Sequence, residues 1–429
     1  MKTQAASPRL LQPDRHQHVL EDACLDAQLS ADHRARLVWA FVERLDLSLL
    51  EDTIQSRAGR AGAPAIAPRL LLALWLYACL DGVGSAREVA RLCEEHVAYR
   101  WLCGHVGVNY HTLSDFRAES GDFLDALLSE IIAALVKAGV VDGSTIFQDG
   151  TKVRASAGGS SFRRESSLHR LREEAAAHVA HVKAQATDPS LNARVRAARE
   201  RAARERLERV DQALAAMDEM KQIKERNARK KGREKVSEPR ASTTDPHARV
   251  MKTRGAAKDA AYNIQLATDG RSRAIIGMQV LQAGVDNGLS EAMRAEVERR
   301  TGKRITTHVT DAGYLSKATV EREAAAGVQR IMPLPTKSGG EPAVTCQPGD
   351  GPGVRAWRQR MQTKEAVALL HQRSGVAETP NAELKTYRAM DRLLVRGVPK
   401  VTSVVLIGVI IYNLMHFAEV LVGRPMPPL

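Results

Sequence analysis

In the first third of the chain, apolar residues recur at helical spacing. They form one face of VWAFVERLDLSLLEDTI and fill almost all of PRLLLALWLYACL, a segment that Pro68 opens. Gly82 and Gly84 interrupt the pattern, and Ser85 with Glu88 reads as a capping box into EVARLCEEH. A further start signal at Thr112, with Asp115 three residues on, leads into FRAESGDFLDALLSEIIAALVKAGV. These periods predict an all-α domain over 31–140, preceded by a loose arm over 1–30. Periodicity does not separate a helix-turn-helix-like DNA-binding module from a plain helical bundle.

After residue 143 the spacing shifts toward strands. IFQDGTKVRA predicts a strand running into a Gly turn. Its expected partners are AAYNIQLATD (260–269) and RAIIGMQVLQAG (273–284). GLSEAMRAEVERRTG predicts a helix, and RITTHVT a fourth strand ending at Asp311. SKATVEREAAAG predicts a helix capped by Ser316 and stopped by Gly327, VQRIMPLP a last strand, and the stretch from about Ala356 a long helix carrying Glu378. That order predicts an α/β core, a mixed sheet flanked by helices, built from 141–155 and 258–423.

Between the first and second core strands lies a helical insertion over 156–257. Leu207, Val210, Leu214, Met217 and Ile223 mark one apolar stripe, which predicts coiled-coil pairing within the chain or between chains. Residues 237–255 read as a polar, flexible return. Near the C-terminus, VTSVVLIGVIIYNLMHFAEVLV (401–422) is apolar only as far as Tyr412, with Asn413, His416 and Glu419 following. It reads as a buried core helix rather than a membrane span.

Composition narrows the partner. The chain has 429 residues, 44% hydrophobic and 26% charged, which suits two or three globular domains. A formal charge of +13 favours a polyanion, with nucleic acid ahead of membrane. Over 161–255 there are 24 Lys and Arg against 14 Asp and Glu, densest in KQIKERNARKKGREK (221–235), so the insertion reads as a DNA-facing surface or as a solvated charged helix. Aromatics at 4% make base stacking a minor mode. The five cysteines are scattered without a CxxC, as in a reducing compartment. Cys93, His96, Cys103 and His105 have half of a zinc-site spacing, but Cys93 falls on an apolar face and buried thiols are the default. The N-terminus lacks an apolar signal region, so the expected location is cytoplasmic.

Three acids stand out: Asp149, Asp311 and Glu378. The first two lie at or just past the ends of apolar, β-branched runs, and the third lies in a helical segment. Carboxylates that converge this way repel one another unless a divalent cation neutralises them, and Mg²⁺ with phosphoryl transfer is the usual pairing. Singly, each acid also reads as a turn residue, a strand terminator or a solvated helix charge.

At this point the residues resemble the DDE transposases of bacterial insertion sequences, closest to those with the insertion between the first two core strands. The matching pieces are QDGTKVRA, TDPHARVMKTRG with AYNIQLATD, AGVDNG around Asp286, TDAGYLS, and AETPNAELK followed by LLVRG. Residues 69–120, ending in HTLSDFRAES, resemble the N-terminal helical domain of the same transposases. The resemblance implies an RNase H-like core with Asp149, Asp311 and Glu378 as the catalytic triad, holding two Mg²⁺ ions that Mn²⁺ can replace. It also implies DNA contacts by Lys385, Arg373, Arg396, Lys152 and Arg254. Lys385 has the family's spacing from Glu378, whereas Arg373 stands one position further away than usual and His371 occupies the place of a Tyr. Glu383 is a rival third acid, but Met390 rather than Lys stands seven residues on. The implied activity is metal-dependent cleavage at element ends and transfer of the 3′-OH into target DNA. The expected partners are double-stranded DNA and a second copy in a homodimer, in a bacterial, nucleoid-associated setting. The same carboxylates also serve an RNase H-like nuclease without strand transfer, and a non-catalytic DNA-binding relic remains a further alternative.

Overall fold

The computed structural model describes residues 24–56, 63–185, 192–230, 232, 237–253, 257–336 and 342–423. In chain order the described strands are β1 (Thr145–Arg154), β2 (Phe162–Arg163), β3 (Ala241–Ser242), β4 (Arg249–Lys252), β5 (Lys258–Asp269), β6 (Ile275–Leu281), β7 (Thr307–Val309) and β8 (Gln329–Ile331). β1 lies at the centre of a mixed sheet, antiparallel to β5 on one side and parallel to β7 on the other, with β8 parallel beyond β7. β6 and β4 share the outer side of β5, β6 along Asn263–Thr268 and β4 along Lys258–Ala261. β2 and β3 pair separately.

The expected Gly turn after Asp149 is absent. Gly150 pairs with Gln265 in the middle of β1. Glycine is required there because a Cβ would lie 2.1 Å from Gln265 Nε2 and 2.8 Å from Asp286 Oδ1. Nor is the described part of the expected return, 237–253, loose, since β3 and β4 lie inside it. Asp245, fully buried, accepts from the Tyr262 hydroxyl at 2.7 and 2.8 Å and from Gly397 N at 3.2 Å. A polar residue in that stretch is thus part of the core, because every one of its acceptors is used.

In the N-terminal third, the Pro68–Leu80 helix is buried at every residue but Arg69. Ser85 accepts from Glu88 N as the cap signal predicts. The next start is earlier than Thr112. Asn109 Oδ1 accepts from Thr112 N at 2.9 Å, and the helix runs Tyr110–Glu119 before a second begins at Gly121. Most of the expected arm, 1–23, lies outside the described residues. Residues 24–30 are tied down: Asp26 accepts from Arg36 at 2.6 Å and from Trp101 Nε1 at 3.1 Å, and Leu29 is buried. Cys93 and Cys103 are buried free thiols, and His96 uses Nδ1 to cap Ala98 N at 3.3 Å.

The Val398–His416 helix is long and apolar enough to cross a membrane, yet it packs inside the protein against the Pro68–Leu80 and Gly121–Lys137 helices and β6. Its Asn413 reads Ile275 like a backbone strand, accepting from the N–H at 3.0 Å and donating to the C=O at 2.9 Å. One contiguous core therefore takes in the N-terminal helices, this helix and one side of the sheet.

The insertion folds back on itself. Helix Glu165–Ala184 lies against helix Ala193–Lys230, with Val210, Ala213 and Met217 buried on Leu168. Arg172 pairs with Asp211 at 2.6 Å and Lys221 with Glu165 at 2.7 Å, which fixes the two helices antiparallel. Val210, Leu214 and Met217 of the apolar stripe are thus spent within the chain, whereas Leu207 lies outside this cluster and Ile223 stays 42% exposed. Part of the basic run 221–235 lies outside the described residues. The long helix expected from Ala356 is three pieces, Pro352–Arg360, Lys364–Arg373 and Thr379–Tyr387, with a π-helical turn over Ser374–Glu378.

Candidate active site

The parallel pairing of β1 and β7 ends at Phe147 opposite Val309. Two residues further along each strand stand Asp149 and Asp311, so a single register brings both acids to the same edge of the sheet. Asp311 sits just past β7, where its Oδ1 accepts from Gly313 N at 2.8 Å and caps a short 3₁₀ turn.

Glu378 arrives from the other direction. Thr268 of β5 places its hydroxyl 3.2 Å from Phe147 O and 3.1 Å from Val376 O, anchoring the π-helical turn to the sheet beneath Asp149. The turn also explains the unusual Arg373 spacing. A π turn closes over five residues rather than four, so the extra residue between Arg373 and Glu378 is absorbed. Arg373 Nη2 lies 2.6 Å from Glu378 Oε1 and Nη1 3.5 Å from Asp149 Oδ1. One guanidinium thus bridges two of the three acids.

Asn381, one turn beyond Glu378, donates to Asp149 Oδ2 at 3.0 Å. Its own Oδ1 is buried without a donor. Sequence reasoning passed over this residue, although its helical spacing from Glu378 was the available signal. Burial raises the Asp149 carboxyl to about 6, with Arg373 opposing the rise and the charges of Asp311 and Glu378 adding to it. Tyr314 is pushed up by burial and then by Asp286, Asp149 and Asp311, so it stays a hydroxyl donor, to Gln265 Oε1.

Other expected contacts fall elsewhere. Lys152 projects from the face of β1 opposite Asp149, three residues away, and its ammonium is held by Asp286 at 2.8 and 3.1 Å. Asp286 also accepts from Asn263 at 2.8 Å and Gln265 at 2.7 Å, so it is a hub that its place in AGVDNG alone did not reveal. Arg396 donates to Ser156 O at 3.2 Å, past the far end of β1. Lys385 is half-buried on the Thr379–Tyr387 helix. Arg254 lies outside the described residues. The rival Glu383 is engaged by Arg388 at 2.6 Å and His416 at 3.0 Å, and Asp149 is not among its partners.

For a divalent cation the donor chemistry fits: three carboxylates, with the unsatisfied Asn381 oxygen beside Asp149. Among the described residues no three such groups are close enough to hold an ion as they stand, and Arg373 occupies the space between Asp149 and Glu378.

Two family models match the chain. One, described as Transposase domain (DUF772), matches residues 23–119, and the other, described as Transposase DDE domain, matches 203–414. The second match includes Asp311 and Glu378 and begins after Asp149. No curated protein and no solved structure matches the chain.

Proposed function

The chain belongs to the DDE transposases, enzymes that act on DNA, and on that premise we propose that Asp149, Asp311 and Glu378 are its catalytic triad. The reaction is cleavage at insertion-sequence ends followed by joining of the freed 3′-OH to target DNA. The observation that carries the reading is the Arg373 bridge between Asp149 and Glu378, together with the β1–β7 register that brings Asp311 to the same sheet edge as Asp149. The strand order β6–β5–β1–β7–β8, three antiparallel and then two parallel, supports an RNase H-like core.

The three acids, helped by Asn381 Oδ1, would hold two Mg²⁺ ions, or Mn²⁺ in their place. Bound there, such ions lower the pKa of an attacking water and stabilise the leaving 3′ oxygen. Arg373 bridges Asp149 and Glu378 in the metal-free protein, then turns to a phosphate oxygen once that negative charge is met otherwise. Lys385, two turns after Glu378, holds a phosphate next to the scissile one. Lys152, held by Asp286 in the DNA-free protein, would reach DNA only on exchanging that partner, as Arg373 would. Residues 31–140 and the insertion over 156–257 supply further DNA surface, and paired ends call for a homodimer in the active complex.

The test is Mg²⁺-dependent cleavage and joining of a duplex carrying the element's ends. Asp149→Asn, Asp311→Asn and Glu378→Gln should each abolish both steps while Glu383→Gln keeps them. Cleavage that survives Glu378→Gln but not Glu383→Gln would move the third ligand. Cleavage without joining would make the protein a nuclease.

A further inference from the structure

The insertion and the sheet enclose a groove of about 1190 Å³. One wall is the end of the Ala193–Lys230 helix, from Glu219 to Arg226, together with Ser237–Arg240. The other wall is Arg249 and Val250 of β4 and the segment after β6, Gln282–Val285. Its floor reaches Asn287 and Gly313, and Gly313 donates its N–H to Asp311 at 2.8 Å. One end of the groove therefore lies beside Asp311.

Its lining is basic and apolar. Five side chains are Arg or Lys and two are Glu. Three of the basic groups are already committed. Arg164 lies 3.3 Å from Glu238, and Arg249 donates to Pro246 O at 2.7 Å. Lys224 donates to Ser237 O, Ser237 Oγ and Glu238 O at 3.0, 3.1 and 3.0 Å, which builds the wall itself. Arg226 and Arg240 remain: both are exposed and neither forms an ion pair with a described residue. Lys224 is pulled below its ordinary value by burial and then by Arg240, with Glu238 opposing. Between the charges, Ile223, Val250 and Val285 stand 42%, 53% and 68% exposed.

We infer that this groove holds a single strand of DNA a few nucleotides long, leading to or from the phosphate cut at Asp311. This deepens the proposed function and rests on its placing of the triad. Exposed arginines meet backbone phosphates, and the exposed valines and isoleucine cover base or sugar surface. The groove has room for a few nucleotides of one strand, whereas one duplex turn, roughly 34 Å long, occupies on the order of 10,000 Å³ and could only lie across it. With no aromatic side chain in the lining, binding is led by the backbone and depends little on sequence.

Full-length protein without metal is titrated with a labelled duplex bearing a single-stranded extension, and anisotropy is followed across salt concentrations. The Arg226→Glu/Arg240→Glu double variant should lose at least tenfold in affinity, with its log–log salt slope smaller by about 1.5 for two lost single-strand contacts. Its melting temperature should stay that of the wild type, since both side chains are exposed. A double variant with wild-type affinity and slope overturns the inference. So does a benzophenone at Val285 that crosslinks to the duplex arm or to a second protein copy instead of the extension. If Asp311→Asn still cleaves while the double variant binds poorly, the triad assignment fails and the groove stands.

Discussion

At Asp149 burial outweighs attraction. The carboxyl rises from 3.8 to about 6 although Arg373 lies 3.5 Å away. An acid whose folded value exceeds its unfolded one binds its proton more tightly in the fold. The charge therefore costs nothing below about pH 4, costs progressively more up to pH 6 and costs its full amount above that, about 2 to 3 kcal/mol. Metal-free Asp149→Asn should melt higher than wild type near pH 8, and the gap should close near pH 4. A gap that does not change with pH would refute this account. Its neighbour Gly150 is restrained on the opposite face. Gln265 cannot yield easily to a Cβ, because it accepts from Gln148 at 2.8 Å and donates to Asn263 at 3.0 Å and to Asp286 at 2.7 Å. Gly150→Ala should lower stability by about 1 to 3 kcal/mol in urea unfolding. An unchanged midpoint would mean that Gln265 swings aside freely.

Among elements, two helical segments show how polar groups set position. The π turn over Ser374–Glu378 brings Arg373 back beside Glu378 despite the extra residue, and it holds because Thr268 ties it to the sheet. No helical period in the sequence announces such a turn, since the energy that stabilises it comes from β5. Asn413 is the converse, a polar residue in an apolar helix that was visible in the sequence but whose purpose was not. It satisfies both backbone groups of Ile275 at the start of β6. Asn413→Leu leaves a buried N–H and C=O unpaired, and chemical denaturation should show a loss of about 2 to 4 kcal/mol. A neutral result would mean that water or a shifted strand takes over the two bonds.

For the molecule as a whole, the main consequence is that the N-terminal helices and the sheet share the Val398–His416 helix. It carries thirteen buried residues between them. Each large apolar side chain buried there contributes roughly 1.5–3 kcal/mol. Truncation after Gly397 should therefore destabilise the N-terminal helices as well as β6. Limited proteolysis should cut within 68–137 far faster than in the full chain, and equal protection of that region would show it to be an independent unit.

What the sequence determined by itself was local. Apolar period, caps at Ser85 and Ser316, and charge balance placed most helices and strands and pointed to DNA. The order of short motifs pointed to the family and to Asp149, Asp311 and Glu378. These features depend on neighbours within a turn or a strand, so they are written along the chain. The tertiary structure decided what depends on partners far away. It put Gly150 inside a strand because Gln265 fills its side-chain space, and it gave Lys152 to Asp286. It closed the insertion's apolar stripe within one chain, and it made Asn381 a partner of Asp149. Each outcome is set by which distant group fills a limited space or pairs an otherwise unpaired hydrogen-bonding group in the folded chain, and spacing along the chain does not encode that.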